Sequence, residues 1–216
     1  LGMAEYSLFL FGETGNGKST VAALAQQHFG AAMDAEHLPG SWASTANALE
    51  ATAFLAKDAL FVVDDWVPRG SQSEVQRANK EADRLLRAQG NHSGRSRCNR
   101  EGTPKDGKRP RGLIISTGEA TPEGHSLNAR LLAIEIDKKD IMVEDNLPKV
   151  SACQEDARNG LYAQAMAAYI QWLAPQYDHI LTVLRQRRDE LRRETFGTCK
   201  HPRTATIASD LLAAFE

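Results

Sequence analysis

The chain has 216 residues, a formal net charge of −2, a hydrophobic fraction of 42% and a charged fraction of 25%. This length suits one α/β domain with a helical addition and allows a sizeable core. No apolar run approaches the roughly 20 residues that a membrane-spanning helix needs, so no membrane association is expected. The three cysteines are too scattered for a disulfide framework and the start of the chain has no signal-peptide pattern, so we expect a cytoplasmic protein.

A glycine-rich segment from Gly12 to Ser19 follows the first predicted strand. Its sequence, Gly-Glu-Thr-Gly-Asn-Gly-Lys-Ser, matches every fixed position of the pattern whose backbone N–H groups surround phosphates. The apolar residues 6–11 before it predict a buried strand, and residues 20–29 after it predict a helix. This strand–loop–helix context is the one that the motif requires, so we expect a nucleoside triphosphate site.

The residues of this loop have distinct expected roles. Lys18 is expected to reach the β- and γ-phosphates, and the Ser19 hydroxyl to ligate Mg²⁺. The helix N-terminus adds the positive end of its dipole. The expected cofactors are therefore ATP and Mg²⁺, and the expected nucleotide-binding residues are Gly12, Glu13, Thr14, Gly15, Asn16, Gly17, Lys18, Ser19 and Thr20.

A second predicted strand ends in two adjacent carboxylates. After a weak strand near residues 32–35 and a helix over 44–56, the apolar residues 59–63 run into Asp64 and Asp65. This is typical of a buried parallel strand whose carboxyl end lies at a site. We assign Asp64 to the magnesium ion and Asp65 to activation of the attacking water. The alternative is two solvated acids at a strand end.

A basic segment, residues 90–111, follows a polar helix over residues 73–89. It is rich in Gly, Ser, Asn, Arg and Pro and has no periodicity, which predicts either a loop or a long hairpin. Its charge predicts contacts with nucleic-acid phosphates, and the lack of aromatic residues argues against base stacking. The alternative is a solvated loop. The candidate DNA contacts are Arg95, Arg97, Arg100, Lys105, Lys108 and Arg109.

Two further positions lie at strand ends. The apolar strand 113–115 closes in Ser116 and Thr117, and we favour Thr117, over Glu119, as the polar side chain beside the γ-phosphate. The alternative is a simple strand-end turn. Arg130 directly precedes the predicted strand 131–136, where it could neutralise charge across a subunit boundary; the alternative is a solvated arginine at a helix end. The predicted catalytic residues are Lys18, Asp65, Thr117 and Arg130.

The last part of the chain predicts helices over residues 161–173, 180–195 and 205–215. We expect an ATPase core over residues 1–140 and a helical portion over residues 141–216. Because the final residues, 209–216, have the pattern of a helix cut while still amphipathic, we expect this portion to be incomplete.

The order of these motifs resembles the ATPase domains of AAA+ type. Within them it is most similar to the superfamily 3-like helicase domains of primase–helicases carried by phages and integrated mobile elements. The likeness covers roughly residues 6–136 and rests on the P-loop and on residues 59–65, 83–90 and 112–119. One departure is the Ser-Thr-Gly at the sensor strand, where many relatives carry asparagine.

The resemblance implies a fold, an assembly and an activity. The fold is an α/β, P-loop NTPase (AAA+-like) parallel sheet flanked by helices, with a C-terminal helical portion. The assembly is a homo-oligomeric ring, often a hexamer, in which Arg130 acts as an arginine finger. The ring hydrolyses ATP between subunits and pulls on single-stranded DNA, and the natural polypeptide carries a primase-polymerase domain elsewhere. Two other functions remain open: a nucleotide-controlled DNA-binding replication initiator, and a P-loop small-molecule kinase that uses the basic segment as a lid.

Overall fold

The computed structural model of the chain describes residues 4–105, 107–197 and 201–215, and for Arg97, Pro104, Lys105 and His125 it describes the backbone alone. The strands are β1 (Ser7–Phe11), β2 (Gly40–Ser41), β3 (Leu60–Trp66), β4 (Arg97–Cys98), β5 (Pro104–Lys105), β6 (Leu113–Gly118) and β7 (Leu131–Glu135). The helices are α1 (Lys18–Gln26), α2 (Ala46–Leu55), α3 (Gln72–Gly90), α4 (His125–Asn128), α5 (Lys138–Ile141), α6 (Leu147–Arg158), α7 (Leu161–Leu173), α8 (Tyr177–Thr195) and α9 (Pro202–Phe215). Short 3₁₀ turns cover Gln27–Phe29 and Ala174–Gln176.

Five strands form one parallel sheet in the order β2-β3-β6-β1-β7. The strand that precedes the glycine-rich loop, β1, lies between β6 and β7. Because all five strands run in the same direction, their carboxyl ends meet at one edge of the sheet. The predicted α/β parallel sheet of P-loop NTPase type, flanked by helices and followed by a C-terminal helical portion, is confirmed.

Alternating residues along the strands divide the core into two layers. Phe61 and Val63 of β3 pack with the buried faces of α2 and α3, whereas Leu60 and Val62 pack with α1. This alternation follows from the two-residue period of a strand that is covered on both faces. The sheet is therefore held between α1 on one side and α2 with α3 on the other, and the loops at its carboxyl edge have a rigid support.

The side-chain amide of Gln26 hydrogen-bonds to an edge of β3 that the short β2 does not cover. Its Nε2 donates to Leu60 O at 3.0 Å, and its Oε1 accepts from Val62 N at 3.0 Å. Gln26 is only 1% exposed. Since a buried unpaired backbone group is costly, this amide replaces the neighbouring strand that β2 is too short to supply.

The structure differs from the sequence prediction at residues 32–35 and at α6, among other places. Residues 32–35 form turns instead of a weak strand, because Asp34 Oδ1 accepts from the backbone N–H groups of Glu36 and His37 and thereby favours a turn. The helix α6 was not predicted, because it buries only Ala157 and so has little apolar periodicity.

The chain divides into two compact units, one up to residue 164 and the other from residue 165 onward. In the second unit α8 and α9 pack against each other, with Leu191, Ala205 and Ile207 buried. The domain boundary near residue 140 stays a prediction. Among the residues that the structure describes, no helix combines the length and the apolar character needed to cross a membrane.

Candidate nucleotide site

The glycine-rich loop joins the end of β1 to the start of α1. Gly12 has φ 144° and Gly17, the N-cap of α1, has φ 86°, a left-handed conformation that strains other residues. A Cβ atom on Gly12 would lie 2.3 Å from Ile136 O, and one on Gly17 would lie 2.6 Å from Met142 Cε. The loop therefore lies tightly against the residues that follow β7, and only glycine is accommodated at these two positions.

Lys18 is held by the loop itself. Its Nζ donates to Gly12 O at 2.8 Å and to Glu13 O at 2.7 Å, and the residue is 9% exposed. Asn16 fixes the other side of the loop, because its Nδ2 donates to Ile136 O at 2.8 Å. The ammonium group is thus kept within the loop, where backbone N–H groups and the α1 N-terminus favour phosphate.

Asp64 is the point where three elements meet. Its Oδ1 accepts from Ser19 Oγ at 2.7 Å and from Thr117 Oγ1 at 2.5 Å. The structure therefore brings the predicted magnesium pair, Ser19 and Asp64, into direct contact. A hydroxyl beside a carboxylate, at the N-terminus of a phosphate-binding helix, is the kind of oxygen set that suits Mg²⁺.

Asp65 differs from Asp64 in its backbone conformation. It has φ 65°, and the pairing of β3 with β6 shifts register between Val63 and Trp66. Its backbone N–H donates to Thr117 Oγ1 at 3.1 Å. This local irregularity separates the two adjacent carboxylates, so that Asp64 lies against Ser19 while Asp65 is exposed.

A cavity of about 270 Å³ lies over these residues. Its lining contains the predicted Lys18, Asp65 and Thr117, as well as Glu119 and Met142. The remaining lining residues are Thr14, Gly15, Gly17, Ser19, Thr20 and Gly118. Lys18, Asp65 and Thr117, predicted from the loop and from the two strand ends, therefore surround one space.

Ser116 and Thr117 have different surroundings. Ser116 Oγ donates to Val63 O and accepts from Trp42 Nε1 at 2.6 Å, so this fully buried hydroxyl belongs to the core. Thr117 lines the cavity and contacts both acids of β3. Its position agrees with the preference for Thr117, and its two hydrogen bonds show that it orients Asp64 and the backbone of Asp65.

Arg69, a residue not predicted from the sequence, pairs with Glu119 of the cavity lining. Glu119 Oε1 accepts from Thr14 Oγ1 at 2.8 Å and from Arg69 Nη2 at 2.6 Å. Hydrogen bonds from Thr14 and then from Arg69, together with the positive charge of Lys18, hold the pKa of the Glu119 carboxyl below its usual range. Arg69 belongs to no motif; its only sequence signal is its place in a short turn after the acidic strand.

Arg130 lies at the other edge of the sheet from the cavity of its own chain. It directly precedes β7, and its backbone oxygen accepts from Ser7 N at the start of β1. The five residues of these strands separate the two edges by roughly 16 Å. The guanidinium donates to the side chain of Asn91 and to Ser126. A catalytic role across a subunit boundary stays a prediction.

The basic segment forms a short antiparallel hairpin of β4 and β5. Its neck is narrow, since a Cβ on Gly94 would lie 2.7 Å from the backbone of Gly107. Because the hairpin leads into the first residue of β6, it leaves the sheet at the edge opposite the cavity. Of the predicted DNA contacts, Arg95, Arg100, Lys108 and Arg109 are exposed, while the side chains of Arg97 and Lys105 lie outside the described part.

The fold defines an α/β domain of P-loop NTPase type. The chain belongs to the family described as DUF927, a domain of unknown function, whose model matches residues 2–109. No curated protein matches it significantly.

Similar solved structures were found. One is described as the active helicase Cch of SCCmec type IV, with a TM-score of 0.61 and 19% identity over 97% of this chain. The chain spans 37% of the length of that protein, and the likeness at this identity shows a shared fold. An X-ray structure of JCV helicase has a TM-score of 0.40 and 15% identity, covering 84% of this chain and 55% of its own.

Proposed function

We propose that this chain is the ATP-hydrolysing motor domain of a DNA helicase or translocase that acts in the replication of a phage or a mobile element. The single observation that carries the proposal is the meeting of Ser19 and Thr117 on one oxygen of Asp64, beside the lysine of a phosphate-binding loop. This arrangement joins a predicted metal-binding pair to a polar residue of the next strand, as nucleotide hydrolysis requires.

The residues of the site would have different roles in the binding and hydrolysis of ATP. The glycine-rich loop and Lys18 bind the phosphates, and Ser19 with Asp64 would hold Mg²⁺. Bound ATP supplies the phosphoanhydride bond whose hydrolysis drives movement. Asp65, exposed on the cavity lining, would accept a proton from water, and Thr117 would orient Asp64 and the backbone of Asp65 through its two hydrogen bonds.

The DNA would meet the basic hairpin. Four of the predicted contacts, Arg95, Arg100, Lys108 and Arg109, are exposed, and they lie at the edge of the sheet away from the nucleotide cavity. Exposed Arg and Lys groups on a hairpin suit contacts with DNA phosphates, and such contacts do not distinguish one base sequence from another. We expect the chain to act within a homo-oligomeric ring, often a hexamer, and alongside a primase-polymerase domain of the natural polypeptide.

The deciding experiment is ATP hydrolysis measured with and without single-stranded DNA. A helicase motor is expected to hydrolyse ATP and to do so faster when DNA is added. Slow hydrolysis with nucleotide-dependent DNA binding and no strand separation would favour the replication initiator. Phosphoryl transfer to a small acceptor, with no response to DNA, would favour the kinase.

A further inference from the structure

The carboxylate of Glu119 links Arg69 to the phosphate-binding loop. A single oxygen of Glu119 accepts from both Arg69 and Thr14, at 2.6 and 2.8 Å. Thr14 is a member of the loop, and both Thr14 and Glu119 line the cavity. The guanidinium of Arg69 is therefore held by a residue that lines the space which the phosphates of a nucleotide would enter.

Glu119 places a negative charge on the lining of the cavity that a terminal phosphate would enter. The carboxyl group of Asp65 lines the same cavity, so two acids face the position of an incoming anion. Lys18 already donates to two carbonyl oxygens of the loop. Beside Lys18 and a magnesium ion at Ser19 and Asp64, a further cation would reduce the repulsion between Glu119 and a γ-phosphate.

Arg69 is attached loosely enough to supply that cation. Its side chain is 73% exposed, and its hydrogen bond to Glu119 comes from Nη2. Arg130, by contrast, donates from three nitrogens to Asn91 and Ser126. A guanidinium matches the oxygens of a phosphate in the same two-pronged way as those of a carboxylate, so a γ-phosphate can compete with Glu119 for Arg69.

We propose that Arg69 senses the terminal phosphate: it leaves Glu119 for the γ-phosphate of a nucleoside triphosphate and stays on Glu119 when a diphosphate is bound. This inference rests on the proposed nucleotide site. Arg69 then distinguishes the triphosphate from the diphosphate, and Glu119 holds Arg69 when no γ-phosphate is present.

The test is to measure, by titration calorimetry, the equilibrium binding of ADP and of a non-hydrolysable ATP analogue, each in the presence of Mg²⁺. Arg69→Ala is expected to weaken the analogue about tenfold, the low end for a hydrogen bond to a charged group, and to leave ADP within about twofold. The matched control is Arg77→Ala, because Arg77 is 80% exposed and also pairs with one carboxylate, Glu81, but lies on α3. It should change neither affinity.

Glu119→Ala is expected to change the affinity for the ATP analogue in the opposite direction. It removes both the competitor for Arg69 and a negative charge, so the analogue should bind severalfold more tightly and ADP less so. If Arg69→Ala weakens both nucleotides equally, or neither, Arg69 does not sense the γ-phosphate and the inference is overturned. If Glu119→Ala weakens the analogue, Glu119 holds the nucleotide itself and the exchange is likewise overturned.

The two proposals fail in different ways. If the parent protein binds neither nucleotide, the nucleotide site and the motor function are both wrong. If the parent binds both nucleotides and hydrolyses ATP, but Arg69→Ala keeps the parent's ratio of affinities, only the sensing role of Arg69 is wrong.

Discussion

The guanidinium of Arg130 and the side-chain amide of Asn91 are joined by two hydrogen bonds. Nε and Nη2 of Arg130 donate to Asn91 Oδ1 at 3.0 and 2.8 Å. Asn91 is the C-cap of α3 and therefore lies near the start of the basic segment. The residue that we predict to act at a neighbouring nucleotide is thus also a support for the root of the hairpin that we predict to bind DNA.

The two roles of Arg130 can be separated by substitution. Arg130→Ala is expected to leave ATP affinity nearly unchanged and to lower hydrolysis about a thousandfold, the range of an arginine finger. Asn91→Ala removes the support but keeps the arginine, and should retain most of the activity. Mixing Arg130→Ala subunits with Lys18→Ala subunits should restore some hydrolysis. If an assembled mixture shows no recovery, or if both variants lose activity equally, Arg130 acts only through the hairpin root.

Lys18→Ala is expected to abolish ATP hydrolysis without unfolding the protein. Backbone N–H groups alone do not supply the charge that the β- and γ-phosphates require. Steady-state hydrolysis and circular dichroism are the measurements. Lys57→Ala is the matched control, since Lys57 is 61% exposed and pairs only with its neighbour Asp58. Near-parental hydrolysis by Lys18→Ala would contradict the site.

The two adjacent acids should respond differently to the same change. Asp64→Asn is expected to weaken Mg²⁺-dependent nucleotide binding, because Asp64 receives the Ser19 and Thr117 hydroxyls. Asp65→Asn should preserve binding and block turnover, because an amide can hold water but cannot accept its proton. Asparagine also tolerates the left-handed backbone at Asp65, so the fold is kept. Identical behaviour of the two variants would refute this division of roles.

The ion pair between α2 and α3 should matter for stability. Arg84 Nε donates to Glu50 Oε1 at 2.5 Å, with side chains 27% and 7% exposed. Arg84→Ala removes this cation from the buried Glu50 carboxylate and is expected to lower the free energy of unfolding by about 3 kcal/mol. Arg77→Ala, which breaks an exposed pair, should cost under about 1 kcal/mol. Urea unfolding of both variants measures the difference, and equal losses would show that burial of Glu50 is unimportant.

The basic hairpin should give a salt dependence to DNA binding. If its residues contact phosphates, the logarithm of single-strand affinity should fall with the logarithm of salt concentration by roughly 0.7 per contact. Replacing Arg95, Arg97 and Arg100 with alanine should flatten that slope by about two units. ATP binding should persist, because the nucleotide cavity lies at the opposite edge of the sheet. Parental DNA affinity at every salt concentration would exclude the hairpin as the contact.

Most of the sheet could be predicted because its strands are nearly continuous apolar runs. Residues 59–63 and 113–115 have no helical period, and their polar ends mark the carboxyl edge. The glycine-rich loop fixes where that edge lies. From these local signals alone, Lys18, Asp65 and Thr117 could be predicted to lie at one site, and all three line one cavity.

The remaining features depend on contacts between distant residues. The pairing of Arg69 with Glu119 joins positions 50 residues apart, and that of Arg130 with Asn91 joins positions 39 apart. Neither pair has a characteristic spacing. The different positions of the Asp64 and Asp65 side chains could not be predicted from the sequence either. They arise from a register shift between β3 and β6, which depends on the partner strand.

Both roots of the basic hairpin are anchored, and this determines where a mechanical load would go. Arg111, at the second root, donates from Nε to Phe54 O, and its guanidinium stacks over the Phe54 ring at 3.8 Å. The first root is tied by Asn91 to Arg130. A pull on the hairpin tip would therefore be transmitted to α2, to β7 and along β6. Because a hydrogen-bonded strand hardly stretches, the force on β6 arrives at Thr117, beside the acids of the nucleotide cavity.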